Sequence, residues 1–465
     1  MNINRELVLG YAPVRRDVFP DPKDAIAQRD PIRARVEEIL NRIGNVRLVD
    51  IDWLNEEKLL VEHSDVKRVV KHFQKEGVDA LFIPHCNFGQ EEAVGQLAKA
   101  LNVPVLLWGP RDVTPPGFLP RPTDTQCGLF ASGKALRRYG VPFTYIENCW
   151  LNSPALDKGI EDFIRVANVV RCFRGMRIGQ ICVRPWQFLT VKVNESELLE
   201  KFGIEVEPIN AVEILGMIDD VLANRKEEIV EVVKDFTCRS DCCTQTQDAM
   251  DKMAALQIAF LDLVKKYDLT GIATECWDLF EKNYGVRTCV IMGNLSEMGI
   301  PVVCEADIHG VIGAAMATAA ARGDSCIFLA DITQRHPTNE NAELLWHCGP
   351  FPRALAKESS HPSLVSWHGQ WELMEGDITL CRFDMVETGK YALFADHCHT
   401  TDGPVTHGTY VWVEVDDWIK WERKFVEGPY IHHVAGIYGR YAPIMKEACK
   451  YLNGVIYDCA EREIF

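Results

Sequence analysis

The stretch Ile300-Pro-Val-Val-Cys-Glu-Ala-Asp-Ile-His-Gly310 joins an apolar run to two carboxylates. The run stops at Glu305 and Asp307, and small residues with helical character follow at once. The pattern returns at Cys326-Ile-Phe-Leu-Ala330, which ends on Asp331. Two apolar strands that each stop on an acid, with one helix between them, predict a βαβ unit. Such units carry their acids at the carboxyl ends of parallel strands, where open α/β sheets bind ligands. Two carboxylates converging there point to a metal site or an acid/base pair.

Outward from this unit, strands alternate with helices in both directions. Leu7-Val-Leu-Gly10, Leu48–Ile51, Ala80–Pro84 and Val103–Trp108 are strand candidates in a first α/β domain, residues 1–172. A second α/β domain, 173–352, opens on the strand Met176–Val183. It continues through a helix at Glu195–Phe202 that stops on Gly203, a strand at Ile204–Val206, a long helix near 248–266, a strand at Gly271–Thr274 and a helix near 284–298. Alternation of this kind predicts doubly wound parallel sheets. From about 353 the segments become short and alternating: Ile378–Phe383, Lys390–Ala395 and Gly408–Val415. They predict an antiparallel, β-barrel-like C-terminal domain, 353–465, closed by a helix near Ala442–Leu452.

At 465 residues the chain has room for roughly three domains, and its 47% hydrophobic content can fill their cores. A formal net charge of −17 argues against nucleic acid and anionic membranes as partners. No apolar run approaches the roughly 20 residues of a membrane span. The opening Met1–Glu6 is polar and lacks a signal-peptide pattern. The 17 cysteines are odd in number and scattered, which predicts reduced thiols in a cytoplasmic protein rather than a disulfide framework. The adjacent Cys242-Cys243 lacks the spacing of a zinc knuckle.

Of 13 histidines, ten follow residue 300, in the same third as the acids. His347 lies in Leu344-Leu-Trp-His-Cys-Gly-Pro350. His397 and His399 follow a strand, and His432-His433 precedes Val-Ala-Gly-Ile-Tyr-Gly439. Two carboxylates with one or two imidazoles suit a divalent cation, Mg²⁺ or, with imidazole present, Mn²⁺. Competing structural roles exist for several of them. Asp307 is placed to cap the helix that follows, Asp331 to start a turn, and Glu275 to serve as a cap or a third acid. His397, His399 and His407 read as the rim of the β domain. Arg15 and Arg16 follow the first strand. Arg184, Arg335 and His336 lie beyond strand ends, where they could meet an anionic substituent.

These residues together resemble the L-fucose isomerase/L-arabinose isomerase family. The resemblance rests on Glu305-Ala-Asp307, Phe328-Leu-Ala-Asp331, Trp346-His-Cys-Gly349, His433 before Ile437-Tyr-Gly439, and Arg184-Pro-Trp-Gln-Phe188. It implies two α/β domains followed by a C-terminal β-barrel-like domain, a homo-oligomer (often a hexamer) and Mn²⁺ as cofactor. Carried over residue by residue, Glu305 and Asp331 match the metal-binding acid/base carboxylates and His433 the C-terminal metal histidine. His347 matches the extra metal histidine of the arabinose type, whereas an Asp at 331 is the fucose-type choice. The implied reaction is aldose–ketose isomerisation of a fucose- or arabinose-like sugar, or of a deoxy- or sulfo-sugar such as sulfoquinovose, through a cis-enediol. Arg15, Arg16, Arg184 and Arg335 are the candidate substrate-binding residues. A metal-dependent sugar aldolase or epimerase would use the same ligands, and a non-catalytic sugar-binding protein is the third reading.

Overall fold

The computed structural model describes residues 3–17, 22–113, 123–242, 244–365 and 368–464, so Cys243 lies outside the described residues. It divides into two compact units. One comprises Arg5–Arg171 with Lys450–Asn453, and the other Met1–Asn4, Cys172–Cys449 and Gly454–Phe465.

In the first unit, β1 (Leu7–Tyr11), β2 (Val46–Val49), β3 (Ala80–Pro84), β4 (Val105–Trp108) and β5 (Thr144–Tyr145) form a parallel sheet. Its order is β2-β1-β3-β4-β5. β1, β3 and β4 are buried throughout, as expected of strands covered on both faces. Leu7, Leu9, Phe82 and Trp108 pack with the helices Lys23–Ile43 and Pro154–Arg174. Their alternates Val8, Leu81, Ile83 and Leu107 pack with Val66–Glu76 and Glu91–Leu101. This is the doubly wound arrangement the alternation predicts.

In the second unit, β6 (Arg177–Ile181), β7 (Glu205–Ile209), β8 (Gly271–Thr274) and β9 (Val302–Val303) form another parallel sheet, ordered β7-β6-β8-β9. Nine further strands follow: β10 (Ile327–Arg335), β11 (Ala342–His347), β12 (Ser363–Val365), β13 (His368–Glu372), β14 (Asp377–Glu387), β15 (Lys390–Thr400), β16 (Thr409–Glu414), β17 (His433–Tyr438) and β18 (Val455–Asp458). They make one mixed sheet, ordered β12-β13-β16-β11-β10-β17-β14-β15-β18. A short pairing of β15 with β16 sets His399 opposite Glu414, so the antiparallel run from β16 to β15 returns on itself. The pairings β13–β16 and β15–β18 are parallel, so the sheet is mixed rather than purely antiparallel.

The expected βαβ unit is corrected. β9 ends in the parallel sheet, whereas β10 joins the mixed sheet, antiparallel to β11 and β17. The helix between them, Ile308–Ala321, explains why. All fourteen of its residues are buried. A helix apolar on every side has no face for water. It therefore runs between β8 and β9 and strands β14 and β17, and the chain emerges into a different sheet. Two further expectations shift. The helix expected near 284–298 is the shorter Cys289–Glu297, preceded by a π-helical turn, Trp277–Lys282. The last helix is Ala442–Cys449. Among the described residues no helix is long and apolar enough to cross a membrane.

Candidate metal and active site

β9 stops at Val303, and the chain turns through Glu305 and Ala306, both at φ 54°. Two successive left-handed residues bearing Cβ atoms are strained, and such strain persists only where the surroundings impose it. Here the Ala306 N–H donates to the Thr274 carbonyl at the end of β8 (3.1 Å). The turn leaves Glu305 only 7% exposed, and its Oε2 finds no hydrogen-bond partner among the described residues.

Asp307, two residues on, is fully buried and fully engaged. Its Oδ1 accepts from the Gly310 N–H (3.0 Å), so it does cap the helix Ile308–Ala321. A Cβ at Gly310 would lie 2.8 Å from Asp307 Oδ2, so glycine is what fits beneath the cap. Arg382 on β14 donates to both Asp307 oxygens, one through Nη1 and the other through Nη2 at 3.2 Å. Arg382 Nε donates to Asp384 (2.9 Å), and Asp384 in turn meets His309 Nδ1 (3.1 Å). Burial alone would raise the Asp307 carboxyl, but Arg382 and His433 outweigh it and hold it well below the usual carboxylate range.

Asp307 Oδ2 also lies 3.0 Å from His433 Nδ1. A carboxylate can only accept, so Nδ1 donates and Nε2 presents its lone pair. That lone pair faces the two other acids, 3.9 Å from Glu305 Oε2 and 3.9 Å from Asp331 Oδ1. The β10–β17 register sets Asp331 directly opposite His433, and cross-strand partners share a face. Asp331 is mid-strand, which removes its reading as a strand-end turn residue. Its Oδ1, like Glu305 Oε2 and His347 Nε2, is buried without a partner among the described residues. His347, at the end of β11, groups with Glu305 and Cys304; the donor atoms of these three lie within 4.8 Å of one another.

Burial pushes the Glu305 carboxyl upward, and the Asp331 charge adds to this against the opposing histidines. Burial would make His433 less basic, but its bond to Asp307 and the surrounding carboxylates raise it overall. His347 is likewise raised, burial being outweighed by Cys348, Asp331 and Glu305. Buried polar atoms normally have partners. Glu305 Oε2 and Asp331 Oδ1, buried without partners and each 3.9 Å from His433 Nε2, with His347 Nε2 beside Glu305, could hold a divalent cation.

Residues 10–174 match the family model described as fucose/sulfoquinovose isomerase, N-terminal domain. A sulfoquinovose isomerase from Priestia aryabhattai is 22% identical over 413 residues, covering 85% of this chain and 89% of its own. Another, from Alkalicoccus urumqiensis, is 23% identical over 316 residues, covering 65% and 68%. A third, from Clostridium sp. (strain MSTE9), is 24% identical over 289 residues, covering 60% and 61%.

Over most of its length the chain is similar to sulfoquinovose isomerases, and over residues 10–174 to the fucose/sulfoquinovose isomerase family.

Several of the remaining candidates hold partners of their own. Arg15 and Arg16 lie in the first unit, where they pair with Glu57 and Glu91. Arg335 ends β10 and pairs with Glu340 in its own hairpin (2.9 Å), with Glu422 at 3.9 Å. Arg184 donates to the carbonyls of Pro185 and Phe188 (both 3.2 Å), and no carboxylate among the described residues pairs with it. The Phe188 ring packs against Trp277 (5.5 Å) and His433 (6.0 Å), so the Arg184–Phe188 loop reaches His433. Glu275 is a cap: its carboxylate accepts from the Asp278 and Leu279 N–H groups. His397 accepts from the Ala442 N–H (3.3 Å), and His399 meets Asp377 (3.0 Å). His432, beside His433, also comes within reach of Asp331; the adjacent histidine pair was its signal in the sequence. Arg382 carried little: two residues from Asp384 in β14, it reads as half of a local charge pair.

Proposed function

We propose that this chain is a metal-dependent aldose–ketose isomerase acting on a free monosaccharide, with a sulfonated sugar as the first candidate substrate. The observation that carries the reading is the meeting of unpartnered Glu305 and Asp331 oxygens at the His433 Nε2 lone pair. Glu305, Asp331 and His433 would hold Mn²⁺ or Mg²⁺, with His347 at the edge of the group. When bound, the cation supplies Lewis-acid polarisation of the sugar carbonyl. Glu305 and Asp331 are the two carboxylates suited to carry the proton between C2 and C1 across a cis-enediol. Asp331, a quarter exposed, is the second carboxylate and borders the open side of the site. Phe188 and Trp277 bring apolar surface to the His433 side, which strengthens electrostatic interactions there.

The sulfo-sugar reading rests on the relatives' names and on Arg184. Its charge is met by carbonyl oxygens alone, on a loop that touches the site, so it remains available to a sulfonate. Arg335 is already neutralised by Glu340. We expect a cytoplasmic homo-oligomer, a hexamer by family resemblance. The test is a panel of neutral, deoxy- and sulfonated aldoses supplied with Mn²⁺. Ketose formation supports the reading. Cleavage into fragments would make the protein an aldolase, and binding without turnover a sugar-binding protein.

A further inference from the structure

We propose a second, sulfur-rich metal site formed by Cys289, Cys348 and His368, taking a thiophilic d¹⁰ divalent cation such as Zn²⁺. The donor atoms of these three residues all lie within 4.8 Å of one another. The Cys289 and Cys348 sulfurs are 3.6 Å apart. Two thiolates on one tetrahedral Zn²⁺, at about 2.3 Å each, stand about 3.8 Å apart. The thiols are thus spaced for a shared cation. They come from elements distant in sequence: Cys289 is the first residue of the helix Cys289–Glu297, Cys348 follows β11, and His368 opens β13.

The backbone is shaped to bring them together. Gly349, at φ 137°, runs so close to β13 that a Cβ there would lie 2.3 Å from the Gly369 nitrogen. A Cβ at Gly369 would lie 2.7 Å from the Gly349 carbonyl oxygen. Two glycines, each directly following a donor residue, allow the approach that sets His368 beside Cys348. The His368 Nδ1 contact with the Cys348 carbonyl (2.6 Å) then fixes the ring, as outer contacts do for metal-binding histidines. Cys289 is buried, while Cys348 and His368 are half-buried. The two metal sites differ in chemistry, oxygen-rich against sulfur-rich, yet share the dipeptide His347-Cys348. A cation on Cys348 would hold the end of β11 where it presents His347.

The test uses the full chain, reduced and stripped of metal, titrated with Co²⁺ alone. The expected result is a sulfur-to-cobalt charge-transfer absorption that Cys289→Ser and Cys348→Ser each abolish and Glu305→Gln leaves unchanged. Should the cysteine variants misfold, His368→Gln at its half-buried position decides: it should weaken the cobalt species at least about tenfold with an unaltered circular dichroism spectrum. Absence of the charge-transfer band, or its survival in every variant that folds, overturns the site. Oxidation of the two thiols to a disulfide without cobalt uptake overturns it as well. Because Glu305→Gln disables only the oxygen-rich site, failure here is distinguishable from failure of the isomerase reading.

Discussion

Replacing Asp307 by Asn removes one charge from the centre of the buried network while keeping the side chain's shape. Three partners respond. Arg382 loses a carboxylate that it reaches through two nitrogens, retaining Asp384. The Gly310 cap survives, because an amide oxygen can still accept. His433 loses the charged acceptor that sets its Nε2 lone pair. Breaking a buried ion pair costs about 3–5 kcal/mol. With Asp384 still compensating Arg382, the expectation is the lower end, about 3 kcal/mol. Loss of an outer-shell carboxylate lowers metal affinity about 10–100-fold, equivalent to about 1.4–2.7 kcal/mol. Glu305→Gln gives the contrasting signature. It removes a buried carboxylate whose Oε2 has no partner, so the metal-free protein should be at least as stable while turnover is lost. The assay pairs urea unfolding of the metal-free variants with Mn²⁺ dependence of turnover. Asp307 also has a pH signature. Its folded pKa is depressed, so its contribution is present above the unfolded value of about 3.9 and is lost as pH falls through the lower folded value. The stability gap between wild type and Asp307→Asn should therefore close in strong acid. An Asp307→Asn protein with wild-type Mn²⁺ affinity would refute the outer-shell argument.

Three further outcomes can be measured. Asp331→Asn should lower kcat by about 10²–10⁴-fold with unfolding unchanged, since the acid is partly exposed and only its Oδ1 is buried; an active variant would remove Asp331 from the chemistry. The raised values of Glu305, His433 and His347 mean that the native metal-free protein binds extra protons. The stability the two histidines contribute is fully present below their ordinary 6.5 and is lost as pH rises through their folded values. Metal-free melting temperature should thus fall from pH 6 towards pH 9, while apparent Mn²⁺ affinity rises because cation and protons compete for the same atoms; a pH-independent affinity would argue against these donors. Arg184→Gln should raise KM for a sulfonated aldose about 10–100-fold, the loss of one hydrogen bond to a charged group, and leave KM for neutral sugars unchanged. Equal KM values for both would release Arg184 from the sulfonate role.

The sequence makes the acids legible but not the route between them. An apolar run ending in Glu305-Ala-Asp307 marks a site because acids are rarely buried without a purpose. The helix Ile308–Ala321 also carried its own warning. It contains no charge and only one histidine, so it could not cover an exposed sheet face, and the βαβ expectation failed on that point. The meeting of Asp331 with His433 depends on β10–β17 register. Register is set by pairings across about a hundred residues, and no local pattern encodes it. Arg382 was invisible for a related reason. A cation two residues from an acid on one strand reads as a solvated local pair until Asp307, from a different element, is seen to meet it as well.

The two histidines nearest the acids are prepared for different work by their nearest contacts. His433 donates from Nδ1 to Asp307, so in the neutral ring Nε2 is the acceptor. His347 has the opposite arrangement: the Cys348 N–H donates to its Nδ1 (2.9 Å), which places the proton of the neutral ring on Nε2. That Nε2 is buried and unpartnered beside Glu305. As arranged, His433 offers a lone pair to a cation and His347 offers a proton to an oxygen, such as a sugar hydroxyl or the Glu305 carboxylate. For His347 to join as a metal ligand through Nε2, the Cys348 N–H must give up its acceptor. The position of Cys348, and whatever holds its sulfur, therefore governs which of the two roles His347 plays.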